Sequence, residues 1–213
     1  MARAQLVEHG TEQLSLRAIA RDLGVVSSAV YRYFSSRDEL LTALLIDAYD
    51  DLGGHIERAD ASVRRRDNLL ARWKAIALAM RSWALEHPAD YTLLFGTPIR
   101  GYAAPVDTIG PAGRYTDVMM QLLADIHSAG IRHTAAMPRS LHANLRRLTA
   151  RLDLTIDDTT MLVGMAAWAT VHGAINLELF GHLHNVIEDT DSWYGAIAEA
   201  AGRQVIPQRQ DAQ

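Results

Sequence analysis

The run SLRAIARDLGVVSSAVYRYFSSRDELL at residues 15–41 constrains this chain more than any other stretch. It reads as two short helices joined by a tight turn, followed at once by the start of a long third helix. Ser15 can cap the first, and Leu16, Ile19, Ala20 and Leu23 recur at helical spacing to give it one apolar face. Gly24 falls just beyond, where a chain turning sharply out of a helix needs a residue that tolerates positive φ. Ser27 and Ser28 can cap the second helix, which turns Val30 and Phe34 inward and Ser28, Ala29, Tyr31, Arg32 and Tyr33 outward. Small residues allow close approach to a duplex, while tyrosines and an arginine can bond phosphates or base edges. Such an outer face suits a DNA major groove.

These residues carry a family resemblance. Leu16-x-x-Ile19-Ala20-x-x-Leu23-Gly24-Val25, then Val30-Tyr31-x-Tyr33-Phe34, then Ser36-Arg37-Asp38-Glu39-Leu40-Leu41 resembles the DNA-binding domain of TetR-family transcriptional repressors. LeuLeuPheGlyThrPro at 93–98 and TrpAlaThrValHisGly at 168–173 resemble a C-terminal domain type of one TetR subgroup, named for its Trp-His-Gly motif. The resemblance implies an all-α fold. A three-helix helix-turn-helix DNA-binding head would occupy residues 1–50, and a helical ligand-binding and dimerisation body residues 51–213. It also implies a homodimer on double-stranded operator DNA, an unknown small-molecule effector, no cofactor and a cytoplasmic setting. Ser28, Ala29 and Arg32 would face bases; Ser27, Tyr31, Tyr33 and Arg37 would hold phosphates, with Ser15, Arg17 and Val26 beside them.

The 213 residues are 49% apolar, enough for one or two compact domains, and the absence of cysteine excludes disulfides and thiolate-bound metal. No basic stretch followed by an apolar one opens the sequence, so no secretory signal is expected. Net charge is −4, and residues 1–50 set five arginines against seven acids. Phosphate neutralisation supplies much of DNA affinity, so this balance predicts modest binding that relies on pairing two subunits. Residues 161–183 are long and mostly apolar but include His172, Asn176, Glu178 and His182, which are expensive at a bilayer centre. A helix buried between a core and a partner subunit is expected there, with no membrane.

Helical periodicity places a short first helix at Ala2–His9, ended by Gly10, and a long helix from Arg37 to about Asp60 with a bend at Gly53-Gly54. A helix from about Arg66 to His87 ends at Pro88, which opens a short helix to Phe95. Four glycines and three prolines make residues 96–113 a structured loop. Arg114–Ala129 is helical; residues 126–152 hold five arginines and no acid, read as a solvated basic face with a short helix after Pro138. Asp157-Asp158 suit the start of a helix running to about His184, a last helix spans about Asp189–Arg203, and a polar tail follows Pro207.

An effector cavity in the body would draw on Trp83, Tyr91, Phe95, Tyr102, Met119, Leu123, Met165, Trp168 and His172, apolar walls with few polar groups. Trp168 and His172 share a helical face, and a histidine on an apolar helix needs a partner. The opposite face is small: Gly164, Ala167, Val171, Ala174, Glu178 and Gly181, with Ile197 and Ala198 on the last helix. It is expected to form a four-helix dimer interface about a twofold axis, hence an inverted-repeat operator. No catalytic residue or metal site is expected. His182 and His184 lie on different faces, and no His-Glu-x-x-His, phosphate loop or nucleophile elbow occurs. The alternative is a helical small-molecule sensor acting through a protein partner, which would bind without a counterion-release salt slope.

Overall fold

The computed structural model describes residues 1–10 and 14–207, and every regular element among them is helical. The polar tail beyond Pro207 lies outside the described residues. In chain order the helices are α1 (Ala2–His9), α2 (Leu16–Asp22), α3 (Ser27–Tyr31), α4 (Arg37–Ser62), α5 (Leu69–Glu86), α6 (Pro88–Phe95), α7 (Ile109–Ser128), α8 (Arg139–Arg151), α9 (Asp158–Leu179) and α10 (Thr190–Val205).

They divide into two compact units, one of residues 1–54 and 84–115, the other of 55–83 and 116 onward. The first extends past the expected head because α6 packs into it. Leu93 shares one core with Leu6, Leu16, Ile19, Val30, Leu40, Leu41 and Leu44, and Phe34, Leu94, Ile99 and Tyr102 lie against it. Each fully buried leucine in such a core contributes roughly 1.5–3 kcal/mol. A boundary near residue 50 follows the apolar stripe of α4 but misses this long-range contact.

α4 runs unbroken through Gly53-Gly54. Gly53 marks close packing instead of the expected bend: a β-carbon there would stand 2.8 Å from Arg114 Cγ and Cδ. α7 begins five residues before the expected Arg114, after a 3₁₀ turn at Val106–Thr108. Pro111 fits there because the first turn of a helix has no partner for a backbone N–H. α9 ends at Leu179, short of His184, and the chain turns away at Gly181 with φ +78°.

In the second unit α5 is central, with Trp73, Ile76, Ala77 and Met80 fully buried. Trp73 Nε1 donates to the Ala198 carbonyl at 2.9 Å, and Tyr194 Oη to the Ala77 carbonyl at 2.9 Å, fixing α10 on α5. Arg72, 2% exposed, holds Asp60 at the end of α4 (Nε–Oδ1 2.8 Å) and Asp125 of α7 (Nη1–Oδ2 2.6 Å).

Candidate functional site

The head is built from local rules. Ser15 Oγ accepts from Ala18 N at 3.4 Å and caps α2. At the other end Gly24, φ +68°, lets its N–H reach the Arg21 carbonyl and the Val25 N–H reach the Ala20 carbonyl, the paired bonds of a Schellman turn. Buried Gln5 ties α1 to both ends of α2: its Nε2 donates to Asp22 at 2.9 Å and its Oε1 accepts from Ser15 N at 3.5 Å. Nothing in the periodicity marked Gln5.

α3 is five residues long. Val26 occupies its N-cap position without a side-chain cap, so Ser27 and Ser28 do not cap it as expected; both are exposed on its first turn. Val30 is buried, while Ser27, Ser28, Tyr31 (42% exposed), Arg32 and Tyr33 (79%) face outward with Arg17 and Val26. Ala29 is half-buried and, with Tyr33, borders an apolar crevice of about 560 Å³ floored by Val30 and Phe34. Arg37 opens α4, half-buried, with Nη1 3.6 Å from Asp38. Glu39 accepts from Ser35 N (2.6 Å) and Ser35 Oγ (2.7 Å), bonds that hold its carboxyl below the usual range, while Ser36 Oγ accepts from Glu39 N at 3.1 Å. This anionic cap fixes the turn between α3 and α4. Ser27, Ser28, Tyr31, Arg32 and Tyr33 are thus exposed around buried Val30, while Ser15, Ala29 and Arg37 are half-buried.

The candidate effector residues separate into groups. In the first unit, buried Tyr91 meets Phe95 at 4.9 Å between ring centroids, Phe95 meets Tyr115 edge-on at 5.7 Å, and Tyr115 stacks on Tyr49 at 6.2 Å. Burial, then the neighbouring Tyr49, pushes the Tyr115 hydroxyl up to about 12, and burial raises Tyr91 and Tyr49 also. Tyr49 lies within α4 and Tyr115 in the second turn of α7, and no sequence motif singles out either. Tyr102 stands apart on the head core, sharing a 2.9 Å hydrogen bond with Thr42 Oγ1.

In the second unit Trp83, Met119 and Leu123 are buried. Half-buried Trp168 stands edge-on to both Trp73 (6.3 Å) and His172 (5.1 Å), the Trp-His pair expected from their spacing. Burial lowers the His172 imidazole to about 4, so it is neutral near pH 7. Met165, one turn before Trp168, is 45% exposed, so it is not enclosed as Trp83, Met119 and Leu123 are.

The expected subunit-facing residues require a larger correction. Gly164, Ala167, Val171, Ala174 and Ala198 are buried by this chain's own helices. Glu178 is clamped by Arg81 through two 2.6 Å bonds, with Asp191 on the same guanidinium at 2.7 Å. Ile197 is half-buried, and exposed Gly181 lies past the end of α9. Small side chains permit close helix approach whatever the partner, so composition alone could not tell an internal contact from an external one. The outward stripe of α9 is Met165, Ala166, Ala169, Thr170, Gly173 and Leu177. By length and composition α9 could also cross a membrane. On α8, Arg139, Arg146, Arg147 and Arg151 are exposed while Leu145 and Thr149 are buried.

Comparison with known proteins bears on both parts. Residues 1–44 match the family described as bacterial regulatory proteins, tetR family, and residues 73–201 match the tetracyclin repressor-like C-terminal domain. The HTH-type transcriptional regulators Rv1816 of Mycobacterium tuberculosis and Mb1846 of Mycobacterium bovis are each 44% identical over 188 residues, covering 85% of this chain and 78% of theirs. Among solved structures, the putative regulatory protein SCO4313 superposes with TM-score 0.75 at 30% identity, covering 94% of this chain and 90% of the other. The TetR family transcriptional regulator PfmR of Thermus thermophilus shares the fold, with TM-score 0.64 at 16% identity over 95% of this chain and 94% of its own.

Proposed function

The chain belongs to the TetR family of bacterial regulatory proteins and is a helix-turn-helix transcriptional regulator, not an enzyme; from that premise we propose that it is a repressor that binds an inverted-repeat operator as a homodimer and leaves it when a small molecule binds the body. The observation that carries the reading is the exposed face of α3, where Ser27, Ser28, Tyr31 and Arg32 surround buried Val30. Ser28, Ala29 and Arg32 address bases, while Ser27, Tyr31, Tyr33 and Arg37 address phosphates.

The outward stripe of α9 supplies the dimer contact in place of the buried face, and a twofold pair presents two recognition helices to successive major grooves. The Trp168–His172 pair marks the effector region, in a C-terminal domain of the Trp-His-Gly type working in the cytoplasm. The effector acts by population shift: it stabilises a head spacing that no longer matches the operator, in proportion to its preference for that state.

Fluorescence-anisotropy titration against duplex DNA from upstream of the protein's own gene, at two salt concentrations, tests the reading. Saturable, sequence-selective binding that weakens with salt is expected. Its absence would turn the head toward a protein partner.

A further inference from the structure

Arg3 is the sole arginine or lysine ahead of Arg17, so by charge alone it is a candidate for a DNA phosphate. Its surroundings direct it elsewhere. Arg3 Nε stands 3.1 Å from Oδ1 of Asp90, in the first turn of α6. Asp90 is 3% exposed, and the contact is chiefly ionic: the charge of Arg3 acts on the carboxyl more strongly than its hydrogen bond does. The other charges acting on Asp90 are His87, at the entry to α6, and Asp51 of α4, whose carboxylate lies 3.8 Å from His87 Nε2.

Burial outweighs the Arg3 and His87 charges and raises the Asp90 carboxyl above its ordinary range. A carboxylate held at such a cost and incompletely bonded calls for a role other than stability. The seam it occupies joins α1 to α6. Leu6 and Leu93 share the head core there, yet a crevice of about 390 Å³ opens along it between Leu6 and Gly10 on one side and Pro88, Ala89 and Thr92 on the other. Among the described residues side chains do not fill the seam, which leaves its register to be set by the charge pair.

We propose that Arg3 acts on the head through Asp90 instead of through DNA: the pair fastens α1 to α6 and positions the recognition unit. α6 then presents two things at once, the aromatic residues Tyr91 and Phe95 toward Tyr115 and the anchor for α1. Arg3 and Asp90 are positioning residues. The proposal rests on the DNA-binding reading only for its affinity readout.

The test compares Arg3→Ala, Asp90→Asn and the double variant in the full chain. One readout is amide hydrogen exchange of α1 without DNA; the other is anisotropy titration of duplex DNA from upstream of the gene. Arg3→Ala leaves a buried carboxylate without its guanidinium, so exchange in α1 is expected to rise about tenfold and DNA affinity to fall about tenfold. Adding Asp90→Asn removes the uncompensated charge and is expected to restore both to within about twofold of wild type. Lost affinity with unchanged exchange, not rescued by Asp90→Asn, would make Arg3 a phosphate contact and overturn the proposal. So would an exchange rise that Asp90→Asn fails to reverse, or no effect at all. If the wild type binds no DNA while exchange still rises and is rescued, the fastening stands and the DNA-binding reading falls.

Discussion

Gly164 of α9 makes the space in which Leu123 of α7 lies: a β-carbon on Gly164 would stand 2.5 Å from Leu123 Cδ2 and 2.6 Å from Cδ1. Leu123 is fully buried, so it has nowhere open to move. Gly164→Ala gains about 1 kcal/mol of helix propensity and loses about 1–3 kcal/mol to overpacking. Net destabilisation by about 1 kcal/mol is expected in urea denaturation. In a Leu123→Ala background the same change should be neutral or stabilising.

Tyr31→Ala and Arg32→Ala are each expected to weaken operator binding by about 1–3 kcal/mol while leaving thermal stability unchanged, because both side chains are exposed on α3. If the side chain bonds a phosphate, the slope of affinity against salt should also fall, by about one unit for each phosphate bond removed. Equal affinity of wild type and both variants in anisotropy titration would remove α3 from the groove.

Arg72→Ala should destabilise the chain by roughly 3–5 kcal/mol, since it strands the largely buried Asp60 carboxylate without its main guanidinium partner. Burial alone would raise that carboxyl; hydrogen bonds and charge from Arg72 and Arg66 hold it below the usual range. Replacing both partners, Arg72→Met with Asp60→Asn, should cost less than Arg72→Ala. Chemical denaturation of the three variants decides it.

Asp157 and His172 predict the acid limb of stability. Burial would raise the Asp157 carboxyl, but hydrogen bonds from Thr160, Thr159 and His127 pull it from 3.8 to about 2. A depressed carboxylate stabilises the fold above its unfolded pKa, and that contribution disappears as pH falls from about 4 to about 2. Allowing for solvent screening, about 1–2 kcal/mol is at stake. His172, lowered by burial from 6.5 to about 4, gives a loss that starts at higher pH: the unfolded chain takes up its proton first, between about pH 6.5 and 4. Urea midpoints across pH should show Asp157→Ala flattening the lower window and His172→Phe the upper one.

Much of the head was legible in the sequence because its determinants are local. A cap at Ser15, a left-handed glycine at 24, an inward Val30 and outward Tyr31 and Arg32 each follow from residues within one or two turns. The same holds for the start of α9 at Asp157 and for the meeting of Trp168 with His172 one turn later.

What only the tertiary structure decided is which surface each helix covers. The apolar and small residues of α9 nearly encircle it, so periodicity could not say that Gly164, Ala167 and Val171 would be spent on the chain's own Leu123 and α10. That choice left Met165 and Leu177 outside. Nor could it say that Leu93, far along the chain, would complete the head core, or that Arg3 would meet Asp90. Neighbouring residues dictate local conformation; contacts between distant segments are settled by the competition for burial across the whole chain.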